Sequence, residues 1–159
     1  MNRIYSLFLL PEEGIMSPYR IQEFKLHVTL IKNLELKEKE VLGFTNELIK
    51  YLKPIKTKFV EFGYSERFYR SIYITVLKTQ ELTKAHDKAN QIFGHTEEPF
   101  MPHIAIVYGE LALDDKLKIT KNLEPLNKEF FMLDKLVVYD ITEKNADLWK
   151  EVECFDLKM

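Results

Sequence analysis

The chain is poor in the residues that announce a special environment. It has one cysteine, Cys154, so no intramolecular disulfide can form and no zinc site can be built on thiolates. A reducing compartment is the default that follows. Five glycines and six prolines in 159 residues leave no room for a low-complexity linker or a collagen-like repeat. Arginine is scarce: Arg3, Arg20, Arg67 and Arg70 are all there are, and their spacing picks out no bidentate clamp for a second phosphate. Charge of one sign is missing as well. Twenty-three basic and 25 acidic residues leave a net charge of −2, which disfavours a protein that grips long nucleic acid and is silent about a small nucleotide. Long hydrophobic runs are absent too. The apolar start, Ile4 to Leu10, stops at Pro11-Glu12-Glu13; it is too short to span a bilayer and has no small-residue cleavage site behind it. It reads as a buried first strand, in a cytoplasmic protein with no membrane partner.

What is present suits a globular domain. Hydrophobic residues make up 46% and aromatic residues 13%, enough for one core of large side chains spanning residues 1–159, as a single domain or two lobes sharing a core. Strands are expected at 3–10, 25–31, 55–63, 68–77, 103–108, 130–141 and 148–157. A helix over 37–52 carries Val41, Phe44, Leu48 and Leu52 at helical spacing, with Pro54 closing it. A second helix, 80–93, has Thr79 as N-cap and Gly94 as stop. A third, short helix is capped by Asp114 and runs to about 123, with Leu117 and Leu123 turned inward. The segment from Gly94 to Pro99 reads as surface loop. Strands and helices mix without regular βαβ alternation, so the fold class is α+β with mainly antiparallel sheets.

One pattern occurs twice. His27-Val28-Thr29-Leu30 and His103-Ile104-Ala105-Ile106 share the order His, apolar, small, apolar on expected strands, 76 residues apart. Strand parity puts His27 and Thr29 on one face and Leu26, Val28 and Leu30 on the other. Two lobes packed about a pseudo-twofold axis would bring the two imidazoles across one cleft. Imidazole titrates near pH ~6.5, so one ring can be neutral while its partner is protonated. In-line hydrolysis of a phosphodiester needs that pair: a neutral His takes a proton from water, and a protonated His gives one to the leaving alkoxide. A hydroxyl such as that of Thr29 can donate to the phosphoryl oxygens as they gain charge. No metal and no cofactor is called for. His86, on the helix beside Ala85 and Ala89, and His95, in the loop, lack the flanking pattern and read as packing and surface residues.

At these residues the sequence resembles the two-histidine (2H) phosphoesterase superfamily, whose signature is a pair of His-x-Thr/Ser-x motifs, and more narrowly the plant- and fungal-type cyclic phosphodiesterases. Tyr5-Ser6-Leu7-Phe8-Leu9-Leu10-Pro11 is similar to that family's first strand. Phe68-Tyr69-Arg70-Ser71-Ile72-Tyr73 resembles its central strand, and Pro99 to Gly109 is the strongest likeness. Thr142-Glu143-Lys144 with Leu148-Trp149 and a last strand is similar to its C-terminal end. The resemblance implies a bilobal fold of two antiparallel sheets with flanking helices. It also implies metal-independent opening of a nucleoside 2′,3′-cyclic phosphate to the 2′-phosphate, or of ADP-ribose 1″,2″-cyclic phosphate. By the same likeness His27 and His103 are the acid–base pair, Thr29 is a phosphate ligand, and Tyr108 lines the site, provided that the strand bends at Gly109.

Ala105 departs from the pattern, having no hydroxyl where the family has Ser or Thr. Losing one such donor costs on the order of 10²–10³ in rate. Tyr108, a backbone amide or a water replaces it, or the site is weakened. For the base, Phe68 and Tyr69, with Phe62 and Tyr64, offer faces for stacking, worth about 1–3 kcal/mol per base, and ordinary core packing is an equal claim on each. The expected partner is a small nucleotide bound by a monomer. The alternatives are an RNA-end or oligonucleotide phosphoesterase of another 2H branch, a degenerate domain that only binds nucleotides, and a plain interaction domain in which the two histidines lie far apart.

Overall fold

The computed structural model describes residues 2–95 and 99–159, so the loop expected over 96–98 lies outside the described residues. In chain order the elements are β1 (Tyr5–Pro11), β2 (Val28–Leu34), α1 (Glu38–Leu48), β3 (Ile55–Thr57), β4 (Phe59–Tyr64), β5 (Ile72–Val76), α2 (Gln80–Phe93), β6 (His103–Val107), α3 (Leu113–Lys121), β7 (Phe131–Asp140) and β8 (Lys150–Asp156). The strands run β3-β7-β1-β2-β6-β5-β4, with β8 also on β7, and every pairing is antiparallel. The α+β antiparallel architecture is as expected.

β1 is buried over Tyr5–Leu10, as a continuous apolar run is when both faces of a strand are covered. Leu7 and Leu9 join Val28, Leu30, Ile72, Ile74, Ile104 and Ile106 in the main core, on the side where α1 and α2 pack on one another and α2 lies on β2 and β3. The opposite face carries Phe8, His27, Thr29, His103 and Ala105.

The joint between the halves is narrow. β2 and β6 share a single ladder pair, Val28 with Ile104, whereas β1 pairs with β7 from Tyr5 to Pro11. Two half-sheets therefore meet at one pair and part on either side of it, which is the bilobal form. They approach again at the far edges, because only Lys58 separates Thr57 of β3 from Phe59 of β4. There Thr57 Oγ1 donates to the Leu77 carbonyl at 2.7 Å and the Leu77 amide donates to the Lys58 carbonyl at 2.8 Å.

α2 occupies the span expected for it. Thr79 Oγ1 accepts from the Leu82 amide at 3.2 Å, and Gly94 ends the helix at φ +62°, where a Cβ would be strained. Other segments differ from expectation. The strand expected over 55–63 is two strands on opposite edges of the sheet, since β3 pairs with β7 and β4 with β5. The strand expected over 68–77 begins with a 3₁₀ turn, Phe68–Arg70, so Phe68 and Tyr69 lie outside the ladder. α1 passes into a 3₁₀ turn after Leu48, and Phe44 stays exposed.

In α3 the inward line mixes polar residues with Ile119, and Leu123 just beyond the helix packs against the core as expected. Lys116 is buried and its Nζ donates to the Ser65 carbonyl at 2.6 Å; one turn on, Thr120 Oγ1 lies 2.7 Å from the Tyr64 hydroxyl. Leu117, expected inward, is 46% exposed. An apolar periodicity cannot find a helix face chosen by an orphan carbonyl that needs a donor. The helix cap is Ala112, not Asp114.

Candidate active site

The Val28–Ile104 pair sets the geometry of the site. Counting outward in antiparallel register, His27 lies across from Ala105 and Thr29 across from His103, all four on one face. The pseudo-twofold passes through that pair and exchanges His27 with His103 and Thr29 with Ala105. The next strands obey it too. Phe8 of β1 is opposite Thr29, and Tyr73 of β5 is opposite Ala105. Phe8 stacks on the His27 ring with centroids 3.5 Å apart and planes at 12°; Tyr73 meets the His103 ring edge-on at 5.5 Å.

Both imidazoles are held the same way. His27 Nδ1 is 2.7 Å from the carbonyl of Lys25, and His103 Nδ1 is 2.8 Å from the carbonyl of Met101. A carbonyl oxygen can only accept, so each Nδ1 carries the proton and each neutral ring keeps its lone pair on Nε2. In both motifs the residue between carbonyl and histidine, Leu26 or Pro102, is buried and anchors the bend.

Burial lowers the His27 pKa to about 4, against the Lys25 carbonyl, which raises it, and with help from the charge of His103. Burial also lowers His103; the Met101 carbonyl opposes this, and the positive charges of Arg70, Lys32 and Arg67 add to it. The two rings lie on the same face of neighbouring strands, one ladder position to either side of the Val28–Ile104 pair, and the charge of His103 reaches His27. An interaction domain with two unrelated histidines has no such geometry.

A stability effect follows from His27. Its native pKa of about 4 lies below the ordinary 6.5, so between those values the unfolded chain binds a proton that the native ring refuses. This contribution is complete above about pH 6.5 and is lost as the pH falls toward 4, by about 3 kcal/mol for the whole shift. Urea unfolding of His27→Gln at pH 7 and pH 4 should show a correspondingly smaller loss on acidification than the parent; an equal loss would mean that another group carries it.

The cations around His103 were hidden in the sequence because their partner is distant along the chain. Arg67 caps and Arg70 ends the 3₁₀ turn Phe68–Arg70 beside β6, and Lys32 lies on β2. The Arg70 guanidinium is over the Tyr73 ring at 5.3 Å, and its buried Nε has no hydrogen-bond partner among the described residues. Tyr73 in turn covers Gly63, where a Cβ would come within 2.3 Å of the ring; only glycine leaves that space.

The other end of the cleft is aromatic. β6 ends at Val107, and Gly109 takes φ +131°, so Tyr108 escapes the alternation that would turn it from the site. Its ring stacks on Phe24 at 3.9 Å and lies 5.4 Å from Tyr69 and 5.9 Å from Trp149. Burial first, then Tyr69, pushes its pKa up, so the hydroxyl keeps its proton. Tyr69 also donates to the Lys144 carbonyl. Phe68 is 50% exposed and edge-on to Tyr69. Phe62 and Tyr64 do not reach this cluster: both pack against the core. His86 is buried against Phe100 with centroids 3.8 Å apart, a packing role as expected.

A cavity of about 280 Å³ opens beside His27, with walls from Phe8, Phe24, Tyr139 and Trp149. Gln22 fixes its loop: its side-chain amide accepts from the Tyr108 amide at 2.8 Å and donates to the Tyr108 carbonyl at 3.1 Å. No sequence signal marks a glutamine that pairs with a backbone 86 residues away.

The chain resembles known proteins in sequence and in fold. The profile of the 2′-5′ RNA ligase superfamily matches residues 16–145. The chain belongs to that superfamily, the 2H phosphoesterases. The cyclic phosphodiesterase of Arabidopsis thaliana is 22% identical over 97% of this chain and 95% of its own. The apo form of E. coli LigT superposes with a TM-score of 0.70 at 10% identity, over 99% of both chains. TT0787 of Thermus thermophilus does so with a TM-score of 0.65 at 16% identity, over 99% of this chain and 98% of that one. At these identities the structures speak for the 2H fold alone. No helix among the described residues is long and apolar enough to cross a membrane.

Proposed function

We propose that the chain hydrolyses a small cyclic phosphodiester, a nucleoside 2′,3′-cyclic phosphate to its 2′-phosphate or an ADP-ribose 1″,2″-cyclic phosphate, with His27 and His103 as its acid–base pair. The observation that carries this reading is the pair of imidazoles on one cleft face, each with Nδ1 tied to the carbonyl two residues back. That tie leaves both Nε2 atoms for the substrate. The Arabidopsis cyclic phosphodiesterase supports the reaction class.

In a cyclic nucleotide, water attacks phosphorus while a neutral imidazole removes its proton. The bond from phosphorus to the 3′ oxygen breaks, and the other imidazole, protonated, supplies the proton that makes the 3′ hydroxyl. Thr29 donates to a phosphoryl oxygen. Ala105 donates nothing, and we assign that share of the charge to Arg70, with Lys32 and Arg67 beside it. A phosphate anion between the rings raises the pKa of both, which restores a proton donor that burial removes from the free protein.

The test is turnover of the four nucleoside 2′,3′-cyclic phosphates in EDTA, with products identified by chromatography. Conversion to 2′-phosphates bears the reading out; binding of nucleoside 2′-phosphates with no turnover of these or of ADP-ribose 1″,2″-cyclic phosphate makes the chain a binding domain. The pH profile is a second check. Because both histidines are lowered in the free protein, kcat/KM should follow a bell whose acid limb lies near 4 and whose alkaline limb falls below the ordinary histidine range, so that its maximum is acidic and not neutral. The bell reports the pair, whichever ring is base. A plateau extending above pH 8 contradicts it.

A second reading, action on an RNA end, has one observation in its favour: Lys32, Arg67 and Arg70 gather near His103. It predicts oligonucleotide affinity that falls steeply with salt.

A further inference from the structure

The cavity beside His27 has a chemical character of its own. His27 and Phe8, which stacks on its ring, both line the cavity, so whatever fills it lies against His27. Trp149 is fixed as another wall by its Nε1 donating to the Glu143 carbonyl at 2.6 Å. The volume of about 280 Å³ is just under the ~300–1,000 Å³ that encloses a drug-sized ligand, which suits one aromatic heterocycle and not a dinucleotide.

The polar lining is acidic. Glu23, Asp147 and Lys25 line the cavity, and Lys25 is engaged by Glu151 at 3.3 Å. Glu23 and Asp147 make no ion pair among the described residues. Both sit on braced backbone. Glu23 stands between Gln22, clamped to Tyr108, and Phe24, stacked on it. Asp147 lies in the 3₁₀ turn Ala146–Leu148, whose Asn145 side chain accepts from the Asp147 amide at 3.0 Å.

We propose that this cavity is the base subsite and that Glu23 and Asp147 make it select bases with amino donors, guanine first and uracil last, while repelling a second phosphate. The proposal rests on the cleft being a phosphodiester site. A carboxylate has only acceptors. Guanine offers it two adjacent donors, N1–H and N2–H, in a bidentate fit. Adenine N6 and cytosine N4 offer one amino group each, and the one imide donor of uracil, N3–H, stands between two carbonyl oxygens that carboxylates repel. The same charge disfavours the diphosphate of ADP-ribose 1″,2″-cyclic phosphate, which narrows the substrate class to nucleoside cyclic phosphates.

Trp149 is the sole tryptophan and lines the cavity, so its fluorescence reports occupancy without turnover. Titration with the 2′-phosphates of guanosine, adenosine, cytidine and uridine should give a saturable change, with guanosine 2′-phosphate at least about tenfold tighter than uridine 2′-phosphate. In Glu23→Gln or Asp147→Asn that ratio should fall below about threefold, and binding of ADP-ribose should improve. Equal affinities, or a ranking that survives both substitutions, overturn the proposal. So does turnover of cyclic nucleotides with no Trp149 response, which leaves the hydrolase reading standing. Ranked binding with no turnover of any cyclic phosphate supports the subsite and overturns the hydrolase.

Discussion

His27→Ala and His103→Ala are each expected to lower kcat on a nucleoside 2′,3′-cyclic phosphate by about 10²–10⁴, with the double variant little worse than either single. The reason is that the rings act as one device. Once one proton transfer is unassisted, the step it serves limits the rate, and the other histidine no longer has a barrier to lower. His27 is nearly fully buried and stacked on Phe8, so its removal also leaves a gap; His27→Gln keeps most of the volume and serves as the second variant. Steady-state kinetics with circular dichroism of each protein decides the matter. A single variant with near-parental kcat, or losses that multiply in the double variant, would refute the paired assignment.

The second large effect concerns the place of the missing hydroxyl. Arg70→Gln is expected to lower kcat by about 10²–10³, the cost of losing a donor or charge at the developing phosphoryl anion. By the same logic Ala105→Ser should raise the parental rate by less than about threefold, because that charge is already met. In the Arg70→Gln background Ala105→Ser should recover tenfold or more. The geometry behind this is specific: Arg70 lies over Tyr73, Tyr73 pairs with Ala105 in the ladder, and Arg70 is the foremost of the positive charges felt by His103. A large gain from Ala105→Ser in the parent would instead mean that the hydroxyl is the limiting group and that the cations do not replace it.

Much of the frame was legible in the residues. The continuous apolar run of β1, the Thr79 cap and the Gly94 stop of α2, and the doubled histidine motif each depend on local rules of parity, capping or chirality. Misreadings came where a distant partner overrode the local pattern. Residues 55–63 look like one strand, yet Lys58 is where the chain passes between opposite edges of the sheet. Phe68 and Tyr69 carry strand-like side chains, but the segment coils as a 3₁₀ turn as it enters β5. α3 turns Lys116 inward because the Ser65 carbonyl needs a donor there.

The sequence by itself determined the chemical groups on offer: two imidazoles, one hydroxyl at Thr29 and its absence at Ala105, placed at half-chain separation on strands of equal parity. Covalent identity and a two-residue period suffice for that. Only the tertiary structure decided how those groups are arranged. Register at the Val28–Ile104 pair joins the two motifs, burial lowers the pKa of both rings, and long-range packing brings Arg70 to one end of the cleft and Phe24, Tyr139 and Trp149 to the other. Those properties arise from contacts between residues far apart in the chain, and their strength is set by distance and solvent exclusion, which no local spacing encodes.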